Sequence, residues 1–284
     1  MPQVSIIECP RDAMQGIKTF IPTEKKIEYL NSLLKVGFHA LDCGSFVSSK
    51  AIPQMADTIK IIPQLNLDDT DTRLSVVVAN GKGADMACEF DEITYLGYPF
   101  SVSETFQIRN TNCGFDESIN RVEEILNTCE MFGKKFVLYL SMAFGNPYGD
   151  MFHPEIVAHW VDRLSELGVE RFSISDTIGV AQPALIQELF PLLYNDFPDL
   201  KFGAHFHTTP DKWEEKVAAA YEFGCKRFDG AIKGYGGCPM AKDDLTGNMP
   251  TEKMIEYFES KGIGTGLDLE AFAESVRISQ TIFG

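Results

Sequence analysis

Apolar positions along the chain follow two alternating rhythms. Short β-branched and aromatic runs recur at Val4–Cys9, His39–Cys43, Leu74–Ala79, Glu92–Leu96, Phe136–Met142, Arg171–Ser175, Phe202–His207 and Arg227–Ala231. Their length and content predict eight strands. Between them lie longer segments of helical period, at Thr23–Val36, Asp116–Phe132, His153–Leu167, Pro183–Asn195 and Asp211–Phe223. Helix starts are marked by Pro22-Thr23-Glu24, by the acidic Asp116-Glu117-Ser118 and by Pro154. Helix ends are marked by Gly37, Gly133, Gly168 and Gly224, each followed within a few residues by a predicted strand. Strands alternating with helices of this length imply parallel βαβ units, and eight such units close into an α/β barrel, the (β/α)8 or TIM barrel. No G-x-G-x-x-G follows the first strand, which weighs against a doubly wound open sheet. Asp268–Phe283 predicts an extra C-terminal helix. No low-complexity linker divides the chain, so one catalytic barrel domain over residues 1–284 is expected.

Composition narrows the class of partner. The 284 residues are 44% apolar and 23% charged, enough to bury a sizeable core. The formal net charge of −16 argues against nucleic-acid and anionic-membrane partners, which need a basic surface. No apolar run approaches the ~20 residues of a membrane span. The opening MPQVSIIEC reads as a first strand, not as a signal peptide or mitochondrial leader. Seven cysteines at 9, 43, 88, 113, 129, 225 and 238 include no C-x-x-C pair. They fit a reduced cytoplasmic setting and exclude a zinc ribbon or finger. A homo-oligomer is compatible with the chain, and its state is not encoded in any motif.

Barrel enzymes carry their working groups at the C-terminal ends of strands, and four places there hold chemistry. Arg11-Asp12 follows the first strand; an ordinary surface ion pair is the bland alternative. His205-Phe206-His207 ends the seventh strand, where alternation puts both imidazoles on one face, with Gly203 on the same face leaving room. Two imidazoles so placed can share one metal ion. The loop Gly234–Met240, with three glycines in four residues, is suited to closing over a substrate and carries Cys238, a catalytic or an incidental thiol. Asn248 offers a hard oxygen ligand or, alternatively, a turn or helix cap ahead of Pro250-Thr251-Glu252. Asp12, His205, His207 and Asn248 together make a two-nitrogen, two-oxygen set that leaves room on an octahedral divalent cation such as Mg²⁺ or Mn²⁺.

These residues carry a resemblance. The stretches Glu8–Gln15, Ser45–Lys50 with Pro53–Met55, Asn110–Cys113, Asp176–Val180, His205–His207 and Gly236–Pro239 resemble the 3-hydroxy-3-methylglutaryl-CoA lyase family, part of a wider group of metal-dependent lyase and synthase barrels, nearly end to end. The resemblance implies cleavage of an anionic acyl-CoA to acetyl-CoA and acetoacetate. It implies metal ligation by Asp12, His205, His207 and Asn248, enolate stabilisation by Arg11, and catalysis by Cys238 and His205. It implies roles near the site for Asp42 and Asp176, and substrate contacts from Gln15, Lys18 and Lys50. The chemistry agrees. A retro-Claisen step must deprotonate a tertiary alcohol, whose pKa a nearby dication lowers. A guanidinium in place stabilises the enolate as it forms, and His205 or Cys238 then protonates the departing carbon.

Four features depart from the family pattern. Asp42 stands where a Glu is usual, Thr208 where an Asp is usual and Ala13 where a Gly is usual, and the stretch from Cys238 to Asn248 is one residue longer. They leave open a lyase for a different 3-hydroxyacyl-CoA or oxo-acid. A Claisen-condensing synthase ranks lower, because 284 residues leave no room for the regulatory domain its relatives carry. A metal-binding barrel without turnover is disfavoured by Arg11, Cys238 and the histidine pair.

Overall fold

The computed structural model describes residues 2–237 and 246–284. Eight parallel strands form the frame: β1 (Ser5–Glu8), β2 (Ala40–Ser45), β3 (Arg73–Val77), β4 (Ile93–Ser101), β5 (Lys135–Ser141), β6 (Arg171–Asp176), β7 (Lys201–Thr208) and β8 (Arg227–Gly230). Each pairs with its neighbours in sequence, and β8 pairs with β1, which closes the barrel. All eight overlap the runs read from the sequence. A ninth strand, β9 (Gly247–Asn248), pairs antiparallel with the end of β7.

The helices are α1 (Pro10–Gln15), α2 (Thr23–Leu34), α3 (Thr58–Ile61), α4 (Gly81–Cys88), α5 (Glu104–Thr111), α6 (Phe115–Phe132), α7 (Pro154–Ser165), α8 (Pro183–Asp196), α9 (Trp213–Glu222), α10 (Thr251–Ser260) and α11 (Leu269–Phe283). All four glycines expected to stop helices have positive φ, from 65° at Gly133 to 104° at Gly224. That left-handed turn lets the chain reverse into the next strand.

The residues facing the helices make the main core. On α8, Ile186, Leu189, Phe190 and Leu193 are fully buried, and Leu189→Ala there should cost about 2–5 kcal/mol. Inside the barrel a smaller apolar cluster, Ile7, Cys9, Ala40, Tyr95 and Val137, plugs the lower half. Above it the inward positions turn polar. The expected C-terminal helix exists as α11. It packs on α2 and ends with Phe283 stacked on Tyr235, ring centroids 4.2 Å apart. No described helix is long and apolar enough to cross a membrane. The six described cysteines are all buried and free, consistent with packing roles.

Candidate metal and substrate centre

Arg11 and Asp12 lie on α1, a short helix that Pro10 starts immediately after β1. Helical spacing lets Gln15 reach both: its Oε1 accepts from Arg11 Nη1 at 3.0 Å and its Nε2 donates to Asp12 Oδ1 at 2.7 Å. Arg11 is buried and donates through Nε and Nη2 to Asp42. Asp42 sits where the β2–β3 register shifts, between Asp42 and Gly44. Such a bulge re-aims a side chain at a barrel rim. Thr58 packs so closely on Gly44 that any side chain there would collide with it. The guanidinium is thus clamped between two carboxylates, Asp42 and Asp12, a planar fork held before any substrate arrives.

The imidazoles come from β7, as alternation requires. Each has one ring nitrogen committed. His205 Nδ1 lies 3.1 Å from Asp229 Oδ2 on β8, and His207 Nδ1 lies 2.8 Å from the Thr177 carbonyl. With both Nδ1 atoms donating, both Nε2 atoms are left as acceptors, the tautomer a cation needs. His207 Nε2 is buried and has no hydrogen-bond partner among the described residues. It lies 3.9 Å from Asp12 Oδ2. One atom each from Asp12, His205 and His207 fall within 4.8 Å of one another. Asn248 joins them because β9 sets it opposite His207 in register. Its Nδ2 donates to Asp12 Oδ2 and to the Tyr235 carbonyl, both at 2.8 Å. An orphaned imidazole nitrogen beside a carboxylate, in a mixed nitrogen and oxygen set, fits a divalent cation.

Local charges favour a bare acceptor at Asp12 and His207 and pull His205 the other way. Burial alone raises the Asp12 carboxyl, but Arg11, the two imidazoles and Asn248 outweigh it and hold the group below its ordinary value. Burial and the neighbouring His205 push His207 down, towards the neutral ring. Burial lowers His205 too, yet its hydrogen bond to Asp229 prevails and raises it. Burial disfavours the Arg11 cation, and Asp42 and Asp12 more than restore it. Burial raises Asp42 above its usual value despite Arg11.

The structure therefore brings together Arg11, Asp12, Gln15, Asp42, His205, His207 and Asn248. Asp176 takes a different position. Its carboxylate accepts from Lys216 Nζ at 2.7 Å and from the backbone of Val180 and Ala181. Lys216 also donates to the His207 carbonyl. Asp176 thus braces the turn carrying Thr177, the partner of His207. Lys18 and Lys50 are exposed, on the connections that follow α1 and β2. Cys238 lies outside the described residues. The space expected beside Gly203 is filled by the Arg227 side chain, which a Cβ at Gly203 would strike. Sequence reasoning passed over Asp229, Thr177 and Lys216. Asp229 alone left a trace, an acid at a position that alternation along β8 turns inward.

A barrel with this cluster at the C-terminal ends of its strands has the donor set of a divalent-metal enzyme. The HMGL-like family model matches residues 3–279, and the chain belongs to that family. It is 32% identical over 275 residues to the cytoplasmic 3-hydroxy-3-methylglutaryl-CoA lyase of Rattus norvegicus, covering 96% of this chain and 79% of that one. Among solved structures it is similar to the HMG-CoA lyase of Brucella melitensis, with TM-score 0.91, 30% identity and 99% of each chain covered. It is also similar to an HMG-CoA lyase of Acinetobacter baumannii solved with coenzyme A and 3-methylmalate, with TM-score 0.90, 31% identity, and 98% of this chain and 90% of that one covered.

Proposed function

We propose that this protein is a cytoplasmic carbon–carbon lyase that cleaves 3-hydroxy-3-methylglutaryl-CoA to acetyl-CoA and acetoacetate. The observation that carries the reading is the convergence of Asp12, His205 and His207 beside the clamped Arg11 guanidinium, within a chain of the HMGL-like family. Asp12, His205, His207 and Asn248 would hold Mg²⁺ or Mn²⁺. When bound, the cation supplies positive charge that lowers the pKa of the substrate's tertiary alcohol.

The chain's own residues do the rest. Arg11, pinned by Asp42 and Gln15, presents its guanidinium to the thioester oxygen as enolate charge develops, with no reorganisation at the moment of reaction. Asp229 fixes the His205 ring and aims Nε2 at the site; that nitrogen can ligate the cation or carry a proton, but not both at once. Cys238, on the glycine-rich connection after β8, is the second proton-transfer group. Gln15 holds Arg11 and Asp12 in place and faces the substrate. Asp176 acts as a positioning residue through Lys216 and the Thr177 turn. Lys18 and Lys50 offer the cationic contacts an acyl-CoA needs on a chain of net charge −16. One barrel domain over residues 1–284 performs the reaction.

Purified protein with Mg²⁺ or Mn²⁺ should release acetoacetate from 3-hydroxy-3-methylglutaryl-CoA, and EDTA should stop it. Cys238→Ser should keep the metal and lose rate. Condensation of acetyl-CoA with a 2-oxo acid would instead indicate a synthase, and metal binding without cleavage a binding protein.

A further inference from the structure

The opposite mouth of the barrel carries chemistry that the lyase reaction does not use. Five strands begin with a cation: Arg73 on β3, Lys135 on β5, Arg171 on β6, Lys201 on β7 and Arg227 on β8. Together with His39 they line a single cavity of about 330 Å³ at the N-terminal ends of the strands. Its other walls include Ile7, Val137 and Phe172. This volume lies within the range of small-molecule sites.

The convergence is unfavourable as it stands. The protein has only 25 Lys and Arg against 41 Asp and Glu, yet five of those cations meet here. Parallel pairing sets Arg171 opposite Lys201 in register, and like charges opposed across a ladder destabilise it. Carboxylates answer only two of the five. Glu170 pairs with Arg171 at 2.9 Å and Asp229 with Arg227 at 3.2 Å. Arg73, Lys135 and Lys201 have no carboxylate within 4 Å among the described residues. The field is felt locally: burial and then Arg73, Arg227 and Lys135 push the His39 ring towards its neutral form, against Asp229. Apolar walls concentrate such a field towards the mouth.

We infer that this basic mouth is a binding site for a small polyvalent phosphate-bearing anion, separate from the lyase centre. Phosphate oxygens match both the guanidinium forks of Arg73 and Arg171 and the point charges of Lys135 and Lys201. A bound anion would also relieve the opposition between Arg171 and Lys201. The shared chemistry is a di- or triphosphate, free or as the tail of a nucleotide.

Calorimetric titration with pyrophosphate and with ADP, at constant ionic strength and in EDTA, tests the assignment. Saturable 1:1 binding is expected. The Arg73→Gln/Lys135→Gln/Lys201→Gln variant should weaken it by at least ~10-fold, while Arg11→Gln at the other mouth leaves it unchanged. Tighter binding of ADP than of pyrophosphate would assign the ligand as a nucleotide, and the reverse as a free polyphosphate. Inorganic phosphate titrated onto the metal-loaded protein should show the same variant dependence. The substituted residues are exposed or at strand starts, so the triple variant should fold and keep its acetoacetate release. Equal affinity in wild type and triple variant, loss of binding in Arg11→Gln, or a non-saturating response that follows ionic strength alone would overturn the proposal.

Discussion

The two ends of the barrel handle charge in opposite ways. At the C-terminal end, buried charges are matched: Arg11 lies between Asp42 and Asp12, His205 rests on Asp229, and Lys216 sits on Asp176. At the N-terminal end, cations of one sign face each other and open water. The strands are the same, so the difference lies in where along each one the charge falls. β6 runs from Arg171 to Asp176, and β7 from Lys201 to His207. Matched buried charges are rigid and expensive to disturb, because removing one member strands the other in a low-dielectric interior. Like charges at an open mouth repel one another and keep part of their hydration, so removing one should be tolerated.

That contrast can be broken or sharpened by experiment. The largest effect is expected from His207→Ala, which should abolish metal retention and lower acetoacetate release by ~10³-fold or more, given the several kcal/mol a cation contributes to such a step. Metal content equal to wild type would remove His207 from the ligand set. Arg11→Gln should retain metal but lose about 10²–10³-fold in kcat; a change confined to KM would reassign Arg11 to ground-state binding. Asp229→Asn touches neither substrate nor cation, yet should weaken metal affinity by about 10–100-fold, measured by competition with a chelator. Lys201→Gln, at the other mouth, should leave all three quantities at wild-type values.

Stability offers a separate test. Glu8 is fully buried at the end of β1, where its Oε1 accepts from the Ile232 N–H at 2.8 Å and its Oε2 lies 2.6 Å from the Thr251 hydroxyl. Burial raises its pKa to about 8. Between the unfolded value of 4.5 and about 8 the folded protein holds a proton that the unfolded chain has lost. Stability from this group is therefore complete below the lower value and declines as pH rises, by at most about 1.4 kcal/mol per pH unit. Glu8→Gln should remove that decline, seen in urea unfolding from pH 5 to 8. An unchanged slope would mean that Glu8 is ionised in the native state.

The barrel was legible because its strands and stopping glycines are written in local pattern. What local pattern does not carry was missed. Helix α4 contains Gly81 and Gly83, poor helix formers, and is held by the Asn80 side chain accepting from the Gly83 N–H. β4 was expected to end at Leu96, and Gly97 and Pro99 beyond it are both residues that weaken a strand. It continues to Ser101, with Tyr139 of β5 packed over Gly97. The histidine pair could be read from alternation, and Asp12 from its place after β1. Asn248 was read as a ligand or a turn residue, and its placement depends on β9, two residues long and defined by its partner rather than by its own sequence. Asp229 and Thr177 meet the imidazoles only through tertiary closure, which spacing along one chain does not encode.

The stacking of Phe283 on Tyr235 has a practical side. The Tyr235 carbonyl holds the Asn248 amide, so Phe283 is two contacts from the centre where cleavage would occur. A purification handle or fusion partner joined after Gly284 would pull on that aromatic pair. One joined before Pro2 would load the far end of β1 instead. Preparations that differ only in which terminus bears the handle should then differ in turnover before they differ in melting temperature.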